Sequence, residues 1–278
     1  MKRSTSTSLM RTVWIVLVCA AVARSTVAQT RPEPRLLVSF FGGVARYGNL
    51  WDIPKQPLLR VFGTPTWDTL RLNRTLTTAP TVGLNVTYYP SSRFGLTADI
   101  VYLGLRIDDT CDPLYLSIDA QNRNLQVCNN ITQSTRTVSN VGFSAGLAYR
   151  LASRSSVTPY GRLQAGLSVR SSSLVEVVGT FTAEDATGVL QNFARAVIDD
   201  PGPTSTHPLV VAAVGITFAF SPAYQLRAEV RDHLLILERP TGPANDQGRA
   251  PTENFLGHAP ALVFGFDIVL EKSRGRRY

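Results

Sequence analysis

The stretch Ala261-Leu262-Val263-Phe264-Gly265-Phe266-Asp267-Ile268-Val269-Leu270 sets Leu262, Phe264, Phe266, Ile268 and Leu270 against Val263, Gly265, Asp267 and Val269. Alternate side chains of a β-strand point to opposite faces. One face here is therefore large and apolar, and the other is small with a single carboxylate. A strand of about ten residues patterned in this way has the length and the period of a transmembrane β-strand.

Seven further segments repeat the pattern. Tyr224–Leu234 sets Leu226, Ala228 and Val230 against Arg227, Glu229 and Arg231. Leu209–Phe220 and Ser139–Arg150 alternate in the same way, as does the strand from Tyr160 to Arg170, where Leu163, Ala165, Leu167 and Val169 oppose Arg162, Gln164, Gly166 and Ser168. Phe94–Arg106 and Thr81–Tyr89 complete the clear cases, and Arg35–Tyr47 is the weakest, with apolar residues on both faces. The turns Pro90–Arg93, Ala152–Ser156 and Ser221–Ala223 join strands two to three, four to five and six to seven. The other connections are far longer. Short turns alternating with long loops point to an all-β fold, an eight-stranded antiparallel up-and-down transmembrane barrel with its long loops extracellular.

A soluble lipocalin also has eight strands, but it keeps its apolar residues inside. Here the small face carries the charges Asp99, Arg162, Arg170, Arg227, Glu229, Arg231 and Asp267. A midplane arginine turned toward lipid costs about 2–4 kcal/mol. These groups therefore belong in the interior, which in an eight-stranded barrel is just wide enough for side chains to fill. The glycines on that face are expected to make room for the arginines. Four arginines against three carboxylates form an expected interior charge network with a slight positive excess. Tyr47, Tyr88, Tyr89, Tyr149, Phe220 and Tyr224, near strand ends, are expected at the membrane interfaces.

Residues 1–28 read as a secretory signal peptide: Lys2, Arg3 and Arg11, a short apolar run from Thr12 to Val22, then small residues ending at Ala28. The barrel is assigned to 29–270 and a basic tail to 271–278. The signal carries four basic residues and no acidic one, so its removal lowers the net charge from +8 to +4. That bias is too weak to indicate nucleic acid. The remaining cysteines, Cys111 and Cys128, share one predicted loop and are expected to form a disulfide.

On this pattern the chain resembles the small bacterial outer-membrane barrels of the OmpA/OmpX type, across roughly residues 35–270. The last strand carries the sharpest part of the resemblance. Gly265, followed by Ile268 and Leu270, is similar to the C-terminal signal read by the barrel-insertion machinery. The family's strand often ends on an aromatic, whereas this chain runs on through Glu271–Arg277 to Tyr278, so recognition would be internal. The resemblance implies residence in the bacterial outer membrane. Its implied partners are outer-membrane lipid and lipopolysaccharide, the insertion machinery, and a surface ligand bound through the loops.

The loops offer little catalytic pattern. The pairs Asp108-Asp109 and Asp232-His233 are similar to those of outer-membrane proteases, but neighbours on a strand face opposite ways. Ser205 and His207 would share a face if their segment were a strand, as a lipid deacylase at the rim would require. His258 is the remaining histidine of the exported chain. Thr187–Ile198 places Val189, Phe193 and Val197 four apart with Leu190 beside them, which predicts a short amphipathic helix over the barrel mouth. The first loop, Gly48–Thr78, holds Trp51, Trp67, Pro54, Pro57 and Pro65. No catalytic, cofactor or metal site is expected. The reading is a non-enzymatic barrel serving structure, adhesion or recognition through its loops, with a narrow solute channel and a rim enzyme as the alternatives.

Overall fold

The structure is a computed structural model describing residues 36–270, apart from 60–66, 118–121, 134, 153–155, 185–187, 201, 203 and 222. The signal segment 1–28 and the tail 271–278 lie outside the described residues. Strand β1 (Leu36–Ala45) is followed by a hairpin of β2 (Asn49–Leu59) and β3 (Trp67–Thr77), then by β4 (Ala79–Tyr88) and β5 (Phe94–Tyr115). Helix α1 (Arg123–Gln133) leads to β6 (Thr135–Arg150) and β7 (Val157–Arg170). The short strands β8 (Val177–Glu184) and β9 (Leu190–Ile198) precede β10 (Ser205–Ala219), β11 (Tyr224–Pro240) and β12 (Thr252–Val269).

Eight of these strands close on themselves in the order β1-β4-β5-β6-β7-β10-β11-β12, with β12 paired back to β1 and every pair antiparallel. They are the eight expected segments, several of them longer than expected. Closure leaves no free edge within the ring. The short turns and both described chain ends share one rim. There Ser91 Oγ accepts from the Phe94 N–H (3.0 Å), and Ser221 Oγ accepts from the N–H groups of Ala223 (3.1 Å) and Tyr224 (3.0 Å).

Every ring strand turns large apolar side chains outward. Phe40, Leu84, Leu96, Phe143, Leu163, Val214, Val230 and Phe264 take one from each strand, and they are between 43% and 66% exposed. An unbroken apolar belt around a closed barrel far exceeds the patches soluble proteins tolerate, and its natural solvent is lipid. No helix among the described residues is long and apolar enough to cross a membrane. At the turn rim the belt ends in aromatics: Phe94 packs on Tyr149 with centroids 5.1 Å apart, and Tyr224 stacks on Phe266 at 5.4 Å. Tyr88, Tyr149, Phe220 and Tyr224 face outward as expected of interfacial residues. Tyr89 does not. It is buried inside the barrel, with the Arg150 guanidinium 3.6 Å over its ring, and the Tyr47 hydroxyl is also enclosed.

The long connections fold into a cap. Strand β3 runs into β4 almost without a break and pairs with the upper part of β5, so the β2–β3 hairpin extends the barrel wall beyond the membrane. Of the segment expected to be a helix at Thr187–Ile198, Leu190–Ile198 is instead β9, paired with β8, and Thr187 lies outside the described residues. The four-residue spacing of Val189, Phe193 and Val197 is overridden by that pairing, in which Phe193 stacks on Phe181 at 5.7 Å. The helix of the cap is α1. It buries Asn124, Val127, Cys128 and Ile131, one stripe at helical spacing. Gly179 lets it lie directly on β8, since a Cβ there would come within 2.6 Å of the Val127 carbonyl oxygen. Gln126 and Asn130 accept from the N–H groups of Thr182 and Thr180 (2.9 and 3.1 Å), covering the free edge of β8.

Candidate functional site: a filled barrel and a folded cap

Period-two alternation aims Asp99 from β5, Arg162 from β7, Glu229 and Arg231 from β11, and Asp267 from β12 at the barrel axis. All are buried. Glu229 is the hub. Its carboxylate accepts from Arg162 Nη2 (2.5 and 2.7 Å), from Arg231 Nε and from the Tyr160 hydroxyl. Asp99 takes the other face of both arginines, from Arg162 Nη1 at 3.2 Å and Arg231 Nη1 at 3.1 Å. Arg227 lies 3.7 Å from Asp267 and donates to Asn85 Oδ1 (3.1 Å), while Asn85 donates to Asp99 and to Thr97. Phe41 roofs the layer, with the Arg231 guanidinium 3.8 Å from its ring centroid.

Six of the seven expected charges thus form one connected layer. Arg170 stands apart near the loop rim, donates to the Ser172 carbonyl (3.1 Å) and faces Glu238 at 3.9 Å. The layer itself holds three arginines and three carboxylates, so the expected positive excess vanishes. Asn85, Tyr160 and Phe41 were not legible as members, because neutral polar and aromatic residues carry no charge signal; Glu238, which faces Arg170, lies beyond the strand expected at Tyr224–Leu234. Of the interior glycines only Gly265 abuts an arginine: a Cβ there would sit 3.1 Å from Arg227 Nε. Gly83 instead yields to the Phe41 ring and Gly215 to Tyr160. Gly265 faces inward within β12; Ile268 and Leu270 lie on the other face, with Leu270 just past the strand's end.

The charged layer is closed on both sides. Toward the turn rim, Leu37, Tyr89, Ala148 and Val269 form an apolar cluster. Toward the loop rim, Leu103, Leu209, Val211, Leu235 and Val263 begin a second apolar core. That core continues without interruption into the cap, through Leu70, Leu72, Ile107, Val127, Ile131, Leu174 and Leu237. The barrel mouth and the cap share one hydrophobic interior.

Within the cap, Arg74 is wholly buried. It forms a bidentate pair with Asp109 (2.6 and 2.7 Å), donates to the carbonyls of Leu174 (2.7 Å) and Glu176 (2.8 Å), and lies 5.0 Å from the Trp51 ring centroid. Burial lowers its pKa from the ordinary arginine value, and Asp109 opposes that shift. Trp51 donates to the Leu174 carbonyl at 3.2 Å. Cys111 on β5 and Cys128 on α1 form a disulfide, with Cα atoms 5.3 Å apart. Asp68 gathers the Ser117 N–H (2.7 Å), the Ser117 hydroxyl (2.6 Å) and Asn124 Nδ2 (2.6 Å). Further out, the hydrogen bond from Arg71 holds the Asp52 carboxyl below its usual pKa.

The candidate catalytic pairs are not brought together. Asp109 faces inward to Arg74, and adjacent Asp108 faces out. Asp232 and His233 split in the same way, His233 buried with Nδ1 3.2 Å from the Ala259 carbonyl oxygen. Ser205 and His207 do lie on a strand, but on the interior face they share with Leu209 and Val211, not on the lipid face. On the outer face a different pair forms, His258 Nδ1 lying 2.8 Å from Asp232 Oδ2. Among the described residues no group of three potential metal ligands converges.

The fold is similar to solved bacterial outer-membrane β-barrels. The outer-membrane protein OprG of Pseudomonas aeruginosa aligns with a TM-score of 0.43 at 10% identity, over 87% of this chain and 99% of that one. The outer-membrane protein AlkL, determined in lipid bilayers, gives 0.41 at 11% identity over 91% and 98%. Neisserial surface protein A gives 0.37 at 10% identity over 84% and 96%. No family model matches the sequence, and no curated protein matches it.

Proposed function

We propose that this eight-stranded outer-membrane barrel is a sealed, non-enzymatic anchor that presents its extracellular cap for surface recognition. The observation that carries the reading is the single apolar core running from the barrel mouth into the cap. A channel would need a polar path along its axis, whereas here Leu103, Leu209, Val211 and Leu235 fill the mouth and Leu37, Tyr89 and Val269 fill the opposite end. The cap is tied by a disulfide and by the buried Arg74–Asp109 pair, so it holds a fixed shape. Its far end exposes Trp67, Leu114 and Tyr115, with Tyr115 63% exposed. Trp and Tyr expose large, rigid contact area and are enriched at binding hot spots.

Two measurements test the reading. In planar bilayers the purified barrel should show no single-channel steps; steady conductance would sink the sealed-barrel reading. Bacteria displaying the protein should adhere to immobilised glycan or host-protein arrays more than vector controls, and a Trp67→Ala/Tyr115→Ala variant should lose that excess. Adhesion equal to the vector control would remove the recognition role.

A further inference from the structure

A shallow trough crosses the outside of the barrel, within the apolar belt. Its volume is 620 Å³, and it runs over β6, β7, β10, β11 and the edge of β12. The register explains it. Leu147 pairs with Leu163, Leu163 with Ala212, Ala212 with Asp232, and Asp232 with Pro260, so the five form one row of outward positions. Ala212 and the adjacent outward Gly161 hollow the middle of that row, while the leucines wall its lower end.

Strand tilt makes the row climb. Leu147 lies three residues from Arg150 at the turn-rim end of β6, whereas Pro260 lies nine residues from Val269 at the turn-rim end of β12. Four strand-to-strand steps of about 4.8 Å give a length of roughly 19 Å. One leaflet of a hydrocarbon core about 30 Å thick offers chains of comparable reach.

The upper end of the trough is polar. Asp232 stands there on the lipid-facing side, its side chain 38% exposed and its Oδ2 2.8 Å from His258 Nδ1. A carboxylate oxygen at the interface calls for a donor. We propose that the trough seats one acyl chain of an outer-leaflet lipid, whose head-group hydroxyl or ammonium donates to Asp232. The location selects the occupant, because a groove opening onto the hydrocarbon region is bathed in acyl chains. The climb of the row brings the chain's polar end to the loop rim, where the Asp232–His258 pair stands.

The test is native mass spectrometry of barrels purified from outer membranes in mild detergent, with the heat-induced gel shift as the check of folding. Wild-type protein should retain one lipid per barrel. Ala212→Trp fills the trough from an exposed position and should lower that occupancy at least tenfold. Gly161→Leu should act in the same direction, since a Cβ at Gly161 meets only the Ala213 carbonyl oxygen at 3.7 Å. Asp232→Leu should lower occupancy several-fold. Leu84→Trp, on the opposite wall, should leave it unchanged. Equal lipid in wild type and Ala212→Trp, equal loss in Leu84→Trp, or no retained lipid in the wild type would each overturn the proposal.

Discussion

The side-chain amide of Gln56 pairs with the backbone of Ala244 as a neighbouring strand would, donating to its carbonyl oxygen at 3.3 Å and accepting from its N–H at 2.8 Å. Gln56 is buried at a bulge of β2, and Ala244 lies in the loop joining β11 to β12. Strand β2 pairs with β3 on one side only, and Pro54 and Pro57 blunt its outer edge against further strand addition. One glutamine thus closes the seam of the extramembrane wall.

Gln56→Met keeps the volume and removes both bonds. Two buried backbone groups of Ala244 then lack partners, at about 1–3 kcal/mol each. The loop 241–251 should exchange its amide hydrogens faster and be nicked sooner by protease, while the barrel keeps its heat-induced gel shift. Unchanged exchange in that loop would show the seam to be held by something else.

Glu229 is the residue on which the interior layer depends most. Glu229→Leu leaves Arg162 and Arg231 facing only Asp99, and removing one partner of a buried charge cluster costs about 3–5 kcal/mol. The urea midpoint for unfolding from lipid vesicles should fall markedly. Val230→Ala, the neighbouring outward position, should change it little. A midpoint insensitive to Glu229 would mean the arginines find other partners.

The disulfide should stabilise the cap and leave the barrel alone. It closes a loop with a sequence separation of 17, for which chain entropy gives about 3 kcal/mol. Replacing Cys111 and Cys128 together by Ser should speed amide exchange across α1 and β8. The ring strands should stay protected. Loss of protection in the ring would show that cap and barrel unfold as one unit.

The barrel was legible in the sequence because lipid and a narrow interior impose opposite demands on alternate residues. Val82, Leu84 and Val86 must face out, and Asn85 cannot. The cap obeys no such rule. Only Val197 and Ile198 of β9 are buried, so the strand shows no alternation, and its apolar residues happen to fall four apart. Helix α1 carries few apolar residues and no acidic residue in its first turn. Packing on β8 and the bond to Cys111 hold it, and neither is visible locally. In the same way the interior charges could be listed from parity, but Glu238 could not be matched to Arg170 without knowing that β11 extends well above the belt.

Strand β5 enters at the turn rim with Phe94 and leaves within the cap at Tyr115, 22 residues without a break. At about 3.3 Å per residue its contour is roughly 70 Å, more than twice the hydrocarbon thickness of about 30 Å. It is zipped to β4 and β3 on one side and to β6 on the other. A pull on the cap therefore runs along the strand and loads many ladder bonds at once, with no hinge to yield first. Mechanically the molecule is a mast stepped through the bilayer: whatever grips its tip is held at a fixed height and bearing, and tension there is passed to the membrane.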